Sequence, residues 1–186
     1  MPAEQQDLAL EKNTRRKIIV ATNVAETSLT IEGVRTVVDS GLARVFRYDS
    51  RRGLDTLVTE RISISSADQR TGRAGRVAPG YCLRLWKERE QSEMSIVTEP
   101  EIHRIDLAPS LLELRVSGVD DPEAFNWLEN PHPVAFKHAE QTLRDLGAVS
   151  SNGDLTDDGI RMSRFPLHPR YARLLLEGEK RGCLGL

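Results

Sequence analysis

Gln69, Arg73 and Arg76, inside the stretch QRTGRAGR, are the residues of this chain whose types and spacing could do chemistry. In a helix they stand at i, i+4 and i+7, which at about 100° per residue puts them on one face and turns Arg70 elsewhere. Donor-rich side chains brought together in this way, two of them permanently charged, repel unless an anion lies beside them. The guanidinium fork grips phosphate oxygens in a fixed geometry and does not lose its proton, which suits it to neutralising charge on a transferring phosphoryl group. Gly72 and Gly75 each cost a helix interior about 1 kcal/mol relative to alanine. A solvated basic face gains nothing from them, so they predict close approach by another backbone or a ligand. Ser66 followed by Gln69 predicts a capping box at the start of this helix. Arg70 reads as an ordinary ion-pairing residue.

Positioning such a cluster requires a scaffold, and the surrounding sequence supplies the signals for one. KIIVAT (17–22) and RTVVDSG (35–41) are short β-branched apolar runs that predict buried strands. NVAETSLTIEG between them is long enough for a loop or a helical turn. ARVFRYDSRRGLDTLVTERIS alternates around DSRRG and predicts a β-hairpin with a basic tip, and GYCLRLW predicts another strand. After Trp86 comes a polar connector, then a helix beginning near Pro100 with Leu107, Leu111, Leu112, Leu114 and Val116 on its apolar side and a kink at Pro109. A clearer amphipathic helix carries Ala135, Ala139, Leu143 and Leu146 and stops at Gly147. SNGD then predicts a tight turn between two extended pieces, and LHPRYARLLLEGEKRGCLGL begins a further helix. Two helices followed by a small hairpin outline a winged helix.

The formal net charge of -2 over 186 residues hides a segregation. Residues 35–89 hold twelve Arg or Lys against six Asp or Glu, whereas residues 90–160 hold four against fifteen. One half is therefore fit to meet phosphates and the other is not. Cys82 and Cys183 are too few for a disulfide framework, the four histidines show no metal-ligand spacing, and no apolar run approaches a membrane span. The chain reads as cytoplasmic, with no metal ligands of its own.

ATNVAETSLTIEGVRTVVDSGLARV followed by SADQRTGRAGRVAPGYCLRLW resembles motifs V and VI of the DEAH-box (DEAH/RHA) branch of superfamily 2 helicases. The similarity, to the bacterial HrpB-like members in particular, runs from about Arg16 to the end and includes PEIHRIDLAPSLLEL and LTDDGIRMSRFPLHPRYARLLL. It implies an α/β architecture in three parts: the latter part of a second RecA-like lobe with a parallel sheet and a β-hairpin (1–98), a mainly α winged-helix domain (99–165), and the start of a helical ratchet domain (166–186). The family clamps ATP between two RecA-like lobes. Carried onto this chain, Arg73 and Arg76 would be arginine fingers reaching the γ-phosphate, and Gln69 would help place the attacking water. Ser28 and Thr30 would sense the nucleotide, and Glu32, where many relatives have aspartate, would approach the ribose. Thr22 and Asn23 would touch the nucleic-acid backbone. The hairpin arginines Arg44, Arg47, Arg51 and Arg52 would line the strand's path through sequence-independent, salt-sensitive phosphate contacts.

The implied cofactors are ATP and Mg2+, and the implied partners are single-stranded nucleic acid, with RNA ahead of DNA, and the first RecA-like lobe of the same parent chain. That lobe would hold the metal and most of the nucleotide, because neither G-x-x-x-x-G-K-[ST] nor a DEAH-like acidic motif occurs here. The chain is accordingly expected to be part of a helicase and inactive by itself. Leu10 stands where several relatives carry an aromatic residue that stacks on adenine, which implies weak discrimination among nucleoside triphosphates. The alternative readings are a non-enzymatic winged-helix module that binds nucleic acid, which the acidity of residues 100–160 disfavours, and a protein-interaction scaffold built on that acidic domain.

Overall fold

A computed structural model describes residues 11, 15–27, 31–49 and 52–183. Their contacts divide the chain into two compact units, residues 1–46 with 56–99, and residues 47–55 with 100–186.

In the first unit, the β-branched run Thr36–Asp39 forms β1, which pairs in parallel with β4 (Tyr81–Arg84) in the register Thr36 to Tyr81 through Asp39 to Arg84. One helical turn, α1 (Val24–Thr27), precedes β1. Between β1 and β4 come β2 (Leu42–Asp49), β3 (Leu54–Arg61) and the helix α2 (Ile64–Ala74), which packs on the β1–β4 pair. Alternation along the strands turns Val37, Asp39, Cys82 and Arg84 inward and leaves Thr36, Val38, Tyr81 and Leu83 exposed on the opposite face. The return from α2 into β4 needs a glycine. A Cβ at Gly80 would lie 2.2 Å from the carbonyl oxygen of Ala74 and 2.7 Å from that of Arg35. A short helix, α3 (Glu88–Ser92), interrupts the polar connector.

The run Lys17–Thr22 is not the buried strand its composition predicts. It carries no strand, and Ile18 and Val20 are 89% and 94% exposed. An apolar run is held as a buried parallel strand by neighbours on its edges and cover on its faces. Among the described residues the parallel pairing stops at two strands, β1 and β4.

The predicted hairpin forms from β2 and β3. The N–H groups of Arg52 and Gly53 both donate to the Asp49 carbonyl at 3.1 and 2.8 Å, and Gly53 takes the left-handed φ of 65° that this turn requires. Its tip, residues 47–55, belongs to the second unit.

That unit stacks four helices: α4 (Ala108–Val116), α5 (Pro133–Asp145), α6 (Asp157–Ser163) and α7 (Pro169–Lys180), preceded by a single 3-10 turn, Glu101–His103. Leu107, Leu111, Phe136, Leu143, Met162 and Leu176 form the centre of its core. Pro109 does not kink a helix begun at Pro100. It sits in the first turn of α4, where its missing N–H leaves no bond unmade, and the helix starts there. The small hairpin after α5 reduces to one antiparallel bridge, Val149 to Leu155, around the turn in which Ser150 accepts from Gly153 and donates to Asp154. Its second piece is mostly helix. The hydroxyl of Thr156 caps α6 by accepting from the Gly159 N–H at 3.0 Å, and Asp157 and Asp158 occupy the first turn, where the helix dipole favours negative charge.

Asp106 ties the hairpin tip to these helices. Its N–H donates to Asp55 Oδ1 at 3.0 Å, its Oδ1 accepts from Ala108 N–H at 2.8 Å, and its Oδ2 lies 3.1 Å from His168 Nε2. His168 Nδ1 accepts from the Arg170 N–H, so Nε2 carries the proton and donates to Asp106. Tyr48 adds two ties, its N–H to the Arg104 carbonyl at 2.7 Å and its hydroxyl 3.3 Å from His138 Nδ1. Burial pushes Asp106 up, but the hydrogen bonds from His168 and Ala108 outweigh it and hold the carboxyl below the usual range. Asp55 goes the other way, raised by burial and by the charge of Asp106 against the N–H it accepts. No helix among the described residues is long and apolar enough to cross a membrane.

A Cβ at residue 159 would meet the Ala148 carbonyl oxygen at 2.2 Å and Leu155 Cδ1 at 2.9 Å. Gly159→Ala is therefore expected to cost about 1–3 kcal/mol in urea unfolding. Asp106, with its depressed pKa, contributes stability that is complete above the unfolded carboxylate value of about 3.9 and is lost as pH falls through the folded value. Asp106→Asn should thus lower Tm at pH 7, and the gap to the unsubstituted chain should close below about pH 4.

Candidate functional site

The helix α2 begins earlier than the Ser66–Gln69 pairing predicts. Ser63 is the N-cap, in extended conformation, and its Oγ accepts from the Ser66 N–H at 3.2 Å. The cap is itself braced by Thr98, whose Oγ1 lies 2.8 Å from Ser63 Oγ. Ser66 is buried in the first turn instead of capping it. Ser63 wins because, two residues past β3, it is the last residue with extended backbone before the chain coils, which is what an N-cap needs.

The far end corrects the face argument for Arg76. α2 stops at Ala74, and the N–H of Gly75 closes it on the Gly72 carbonyl at 3.3 Å. Gln69 and Arg73 stand one turn apart on the helix, as expected, while Arg76 lies past the cap and is exposed. Its placement rests on the loop, not on helical phase. Gly72 and Gly75 have no positive φ, and a Cβ on either would meet nothing within 4 Å. The close approach they predict is not made by the described residues of this chain.

Arg70 is more than an ordinary surface pair. Its side chain is 13% exposed, Nε donates to Glu26 Oε2 at 2.9 Å, and Nη1 donates to Asp39 Oδ1 at 2.9 Å and to the Leu42 carbonyl at 3.1 Å. Asp39, at 1% exposure, also accepts the Gly41 N–H at 3.0 Å. Arg73 reaches the same turn of chain by another acceptor: its Nε donates to the main-chain carbonyl of Glu26 at 2.8 Å, and its Nη2 donates to that oxygen too. Two arginines of one helix thus grip α1, one by the carboxylate of Glu26 and one by its carbonyl. Neither Glu26 nor Asp39 stands out by sequence reasoning. Asp39 did leave a signal, a carboxylate closing an apolar run and pointing to the same side as half-buried Val37.

Thr22 and Asn23 are exposed at the start of this turn, where their carbonyls accept the N–H groups of Ala25 and Glu26 at 3.2 and 2.9 Å. The grip on Glu26 therefore brings Arg73 and the Thr22–Asn23 loop into one arrangement, with Gln69 on the adjoining turn of α2. Glu32 is exposed in the turn completed by Gly33, φ 80°. Ser28, Thr30, Arg51 and Leu10 lie outside the described residues. Arg47 and Arg52 belong with the second unit, where Arg52 is exposed and pairs with Asp49 at 3.6 Å, and Arg44 belongs with the first.

The helicase conserved C-terminal domain family matches residues 1–78, and the winged-helix helicase-associated domain (HA2) family matches residues 139–167. The chain is 42% identical over 99% of its length to the probable ATP-dependent RNA helicase DHR2 of Saccharomyces cerevisiae and covers 25% of that protein. It is 39% identical over 97% of its length to the ATP-dependent RNA helicase HrpA of Escherichia coli, covering 14% of it. Two crystal structures of E. coli HrpB, one described as a DEAH/RHA helicase, superpose with TM-scores of 0.80 and 0.83 at 39% and 40% identity, over 96% and 94% of this chain and 22% of each of those chains. The chain thus spans a quarter or less of the relatives it matches. The gripped turn of α1, the arginine helix and the winged-helix unit after them agree with these matches along nearly the whole sequence, and the chain belongs to the DEAH-box (DEAH/RHA) family of helicases, in which it is HrpB-like.

Proposed function

We propose that this chain forms part of an ATP-driven helicase or translocase on single-stranded nucleic acid, RNA ahead of DNA, working in the cytoplasm. In this reading Arg73 and Arg76 neutralise the γ-phosphate during its transfer and Gln69 orients the attacking water. Ser28, Thr30 and Glu32 contact the nucleotide. Thr22 and Asn23, with Arg47, Arg51 and Arg52 of the hairpin, hold the nucleic-acid backbone. Its organisation is the latter part of a second RecA-like lobe (1–98), a winged helix (99–165) and the start of a ratchet domain (166–186).

The observation that carries the proposal is the double hydrogen bond from Arg73 to the Glu26 carbonyl. It joins the candidate finger to the turn that bears Thr22 and Asn23, as a machine coupling phosphate contact to strand movement requires. The open space around Gly72 and Gly75 is in keeping with a partner or ligand from outside this chain approaching α2 there. The names of the relatives, ATP-dependent RNA helicases, favour the same substrate class. ATP supplies the phosphoryl group. These residues can bind its γ-phosphate, but Mg2+ and most nucleotide contacts are assigned to the first lobe, since this chain has no G-x-x-x-x-G-K-[ST].

In a helicase containing this segment, Arg76→Ala is expected to lower ATP turnover roughly 10³-fold or more and to leave RNA binding in place. Unchanged turnover would remove Arg76 from the chemistry, and simultaneous loss of RNA binding would point to misfolding. The 186-residue chain alone should hydrolyse no ATP with or without RNA. Its RNA affinity should fall steeply with salt, by the release of counterions from phosphates. Absence of RNA binding at every salt concentration would favour the protein-interaction reading instead.

A further inference from the structure

We infer that Arg170 is a positioning residue whose flat guanidinium is the seat on which the tip of the β2–β3 hairpin rests, so that the hairpin presents its arginines to a nucleic-acid backbone in one fixed attitude. The inference rests on the proposed strand-holding role of Arg47, Arg51 and Arg52 and deepens it.

A Cβ at Gly53 would lie 3.1 Å from Nη2 of Arg170, 3.2 Å from Cζ and 3.5 Å from Nε. An approach in the plane of the guanidinium would leave Cζ the farthest of the three. Cζ is instead nearer than Nε, so the Gly53 backbone meets the face of the group and not its edge. Glycine is thus needed at the tip twice over, for the left-handed φ of 65° and because a methyl group would press on that face. Tyr48, on the β2 side of the turn, lies against the same group: burial pushes its hydroxyl up and the charge of Asp106 adds to this, while the charge of Arg170 and a hydrogen bond from it pull the other way. On the β3 side, Asp55 accepts the Asp106 N–H at 3.0 Å. All of these residues lie in the second unit.

Arg170 can serve as such a seat because it is held at both ends. Its N–H donates to His168 Nδ1 at 3.2 Å in the first turn of α7, and its Nη2 donates to Oγ1 of the buried Thr142 on α5 at 3.3 Å. A long side chain fixed at its root and at its head has already given up the rotamer freedom that makes surface arginines poor supports. Its Nε is buried with no acceptor among the described residues. A buried donor without an acceptor is unfavourable, which makes arginine a poor choice for filling space. What the guanidinium offers here is a rigid planar surface. The strands of the hairpin are tied at Tyr48 and Asp55, and Arg170 supports the turn between them. Two supports would leave the tip free to hinge about the line joining them; the third fixes its attitude.

Strand separation per ATP hydrolysed, measured in a helicase containing this segment, tests it. Arg170→Met keeps most of the length of the side chain and removes the plate; it is expected to lower that ratio roughly tenfold, with RNA-stimulated ATP turnover within about twofold of the unsubstituted protein. Arg170→Lys keeps the charge and loses the plate, and should behave as the methionine variant does. Full strand separation by the lysine variant would show that charge alone suffices and would overturn the inference. Arg173→Ala controls for lost stability. It breaks ion pairs of the same helix with Asp158 and Glu177, each at 2.7 Å, and should lower Tm while leaving the ratio unchanged. A ratio for Arg170→Met equal to that of the unsubstituted helicase, or no lower than that of Arg173→Ala, overturns the inference as well. Arg51→Ala combined with Arg52→Ala separates this failure from failure of the hairpin reading. If that double variant loses strand separation while Arg170→Met keeps it, only the role of Arg170 falls; if it separates strands normally, both fall.

Discussion

A guanidinium buried between two carboxylates is the interaction on which the first unit depends. Arg70 joins α1 through Glu26, the end of β1 through Asp39 and the start of β2 through the Leu42 carbonyl, so with its own helix four segments share one ionic centre. Desolvating these groups is costly, and burial of an ion pair is weak evidence for net stability. What such a centre does well is penalise every arrangement in which one member goes unpaired. The turn carrying Thr22 and Asn23 therefore has a narrow choice of position relative to α2, which is the precision that a phosphate-contacting helix needs of its neighbour.

The second unit uses the same device in milder form. Asp106 starts α4, accepts from His168 at the head of α7, and gives its N–H to Asp55 at the hairpin tip. One residue, by its carboxylate and its N–H, thereby fixes a helix start, a helix-to-helix contact and a loop that bears basic residues. Around it the packing is ordinary: Leu111, Leu143, Met162 and Leu176 fill the centre, and the acidic character of residues 90–160 stays on the surface apart from Asp106.

How much of this was legible in the sequence depended on the range of the interaction concerned. The hairpin, β1, β4, α2 and α5 follow from local alternation, helical spacing and glycine stops, and the family resemblance rests on ordered residues that need no structure to align. Errors fell where a local signal had a rival. Ser63 and Ser66 are both capable caps, and only the extended backbone leaving β3 chooses between them. Pro109 is compatible with a kink or a start, and burial of Leu107 and Ala108 settles on a start. The run at Lys17–Thr22 has strand composition, but a strand is a relation with neighbours. α6 falls where the second extended piece after SNGD was expected, and the need for Gly159 there shows only once the Ala148 carbonyl is seen 2.2 Å from where its Cβ would be. Glu26 was out of reach for a different reason: its partner Arg70 is 44 positions away, and no periodicity joins them.

The outer face of the β1–β4 pair has a practical meaning for anyone handling the segment in isolation. Val38, Tyr81 and Leu83 lie side by side on it, with Tyr81 80% accessible to water. Exposed apolar side chains gathered on one face of paired strands are the ingredients of aggregation. Concentrated preparations would be expected to self-associate through this ribbon first, and a lysine in place of Val38 is the simplest way to keep them dispersed.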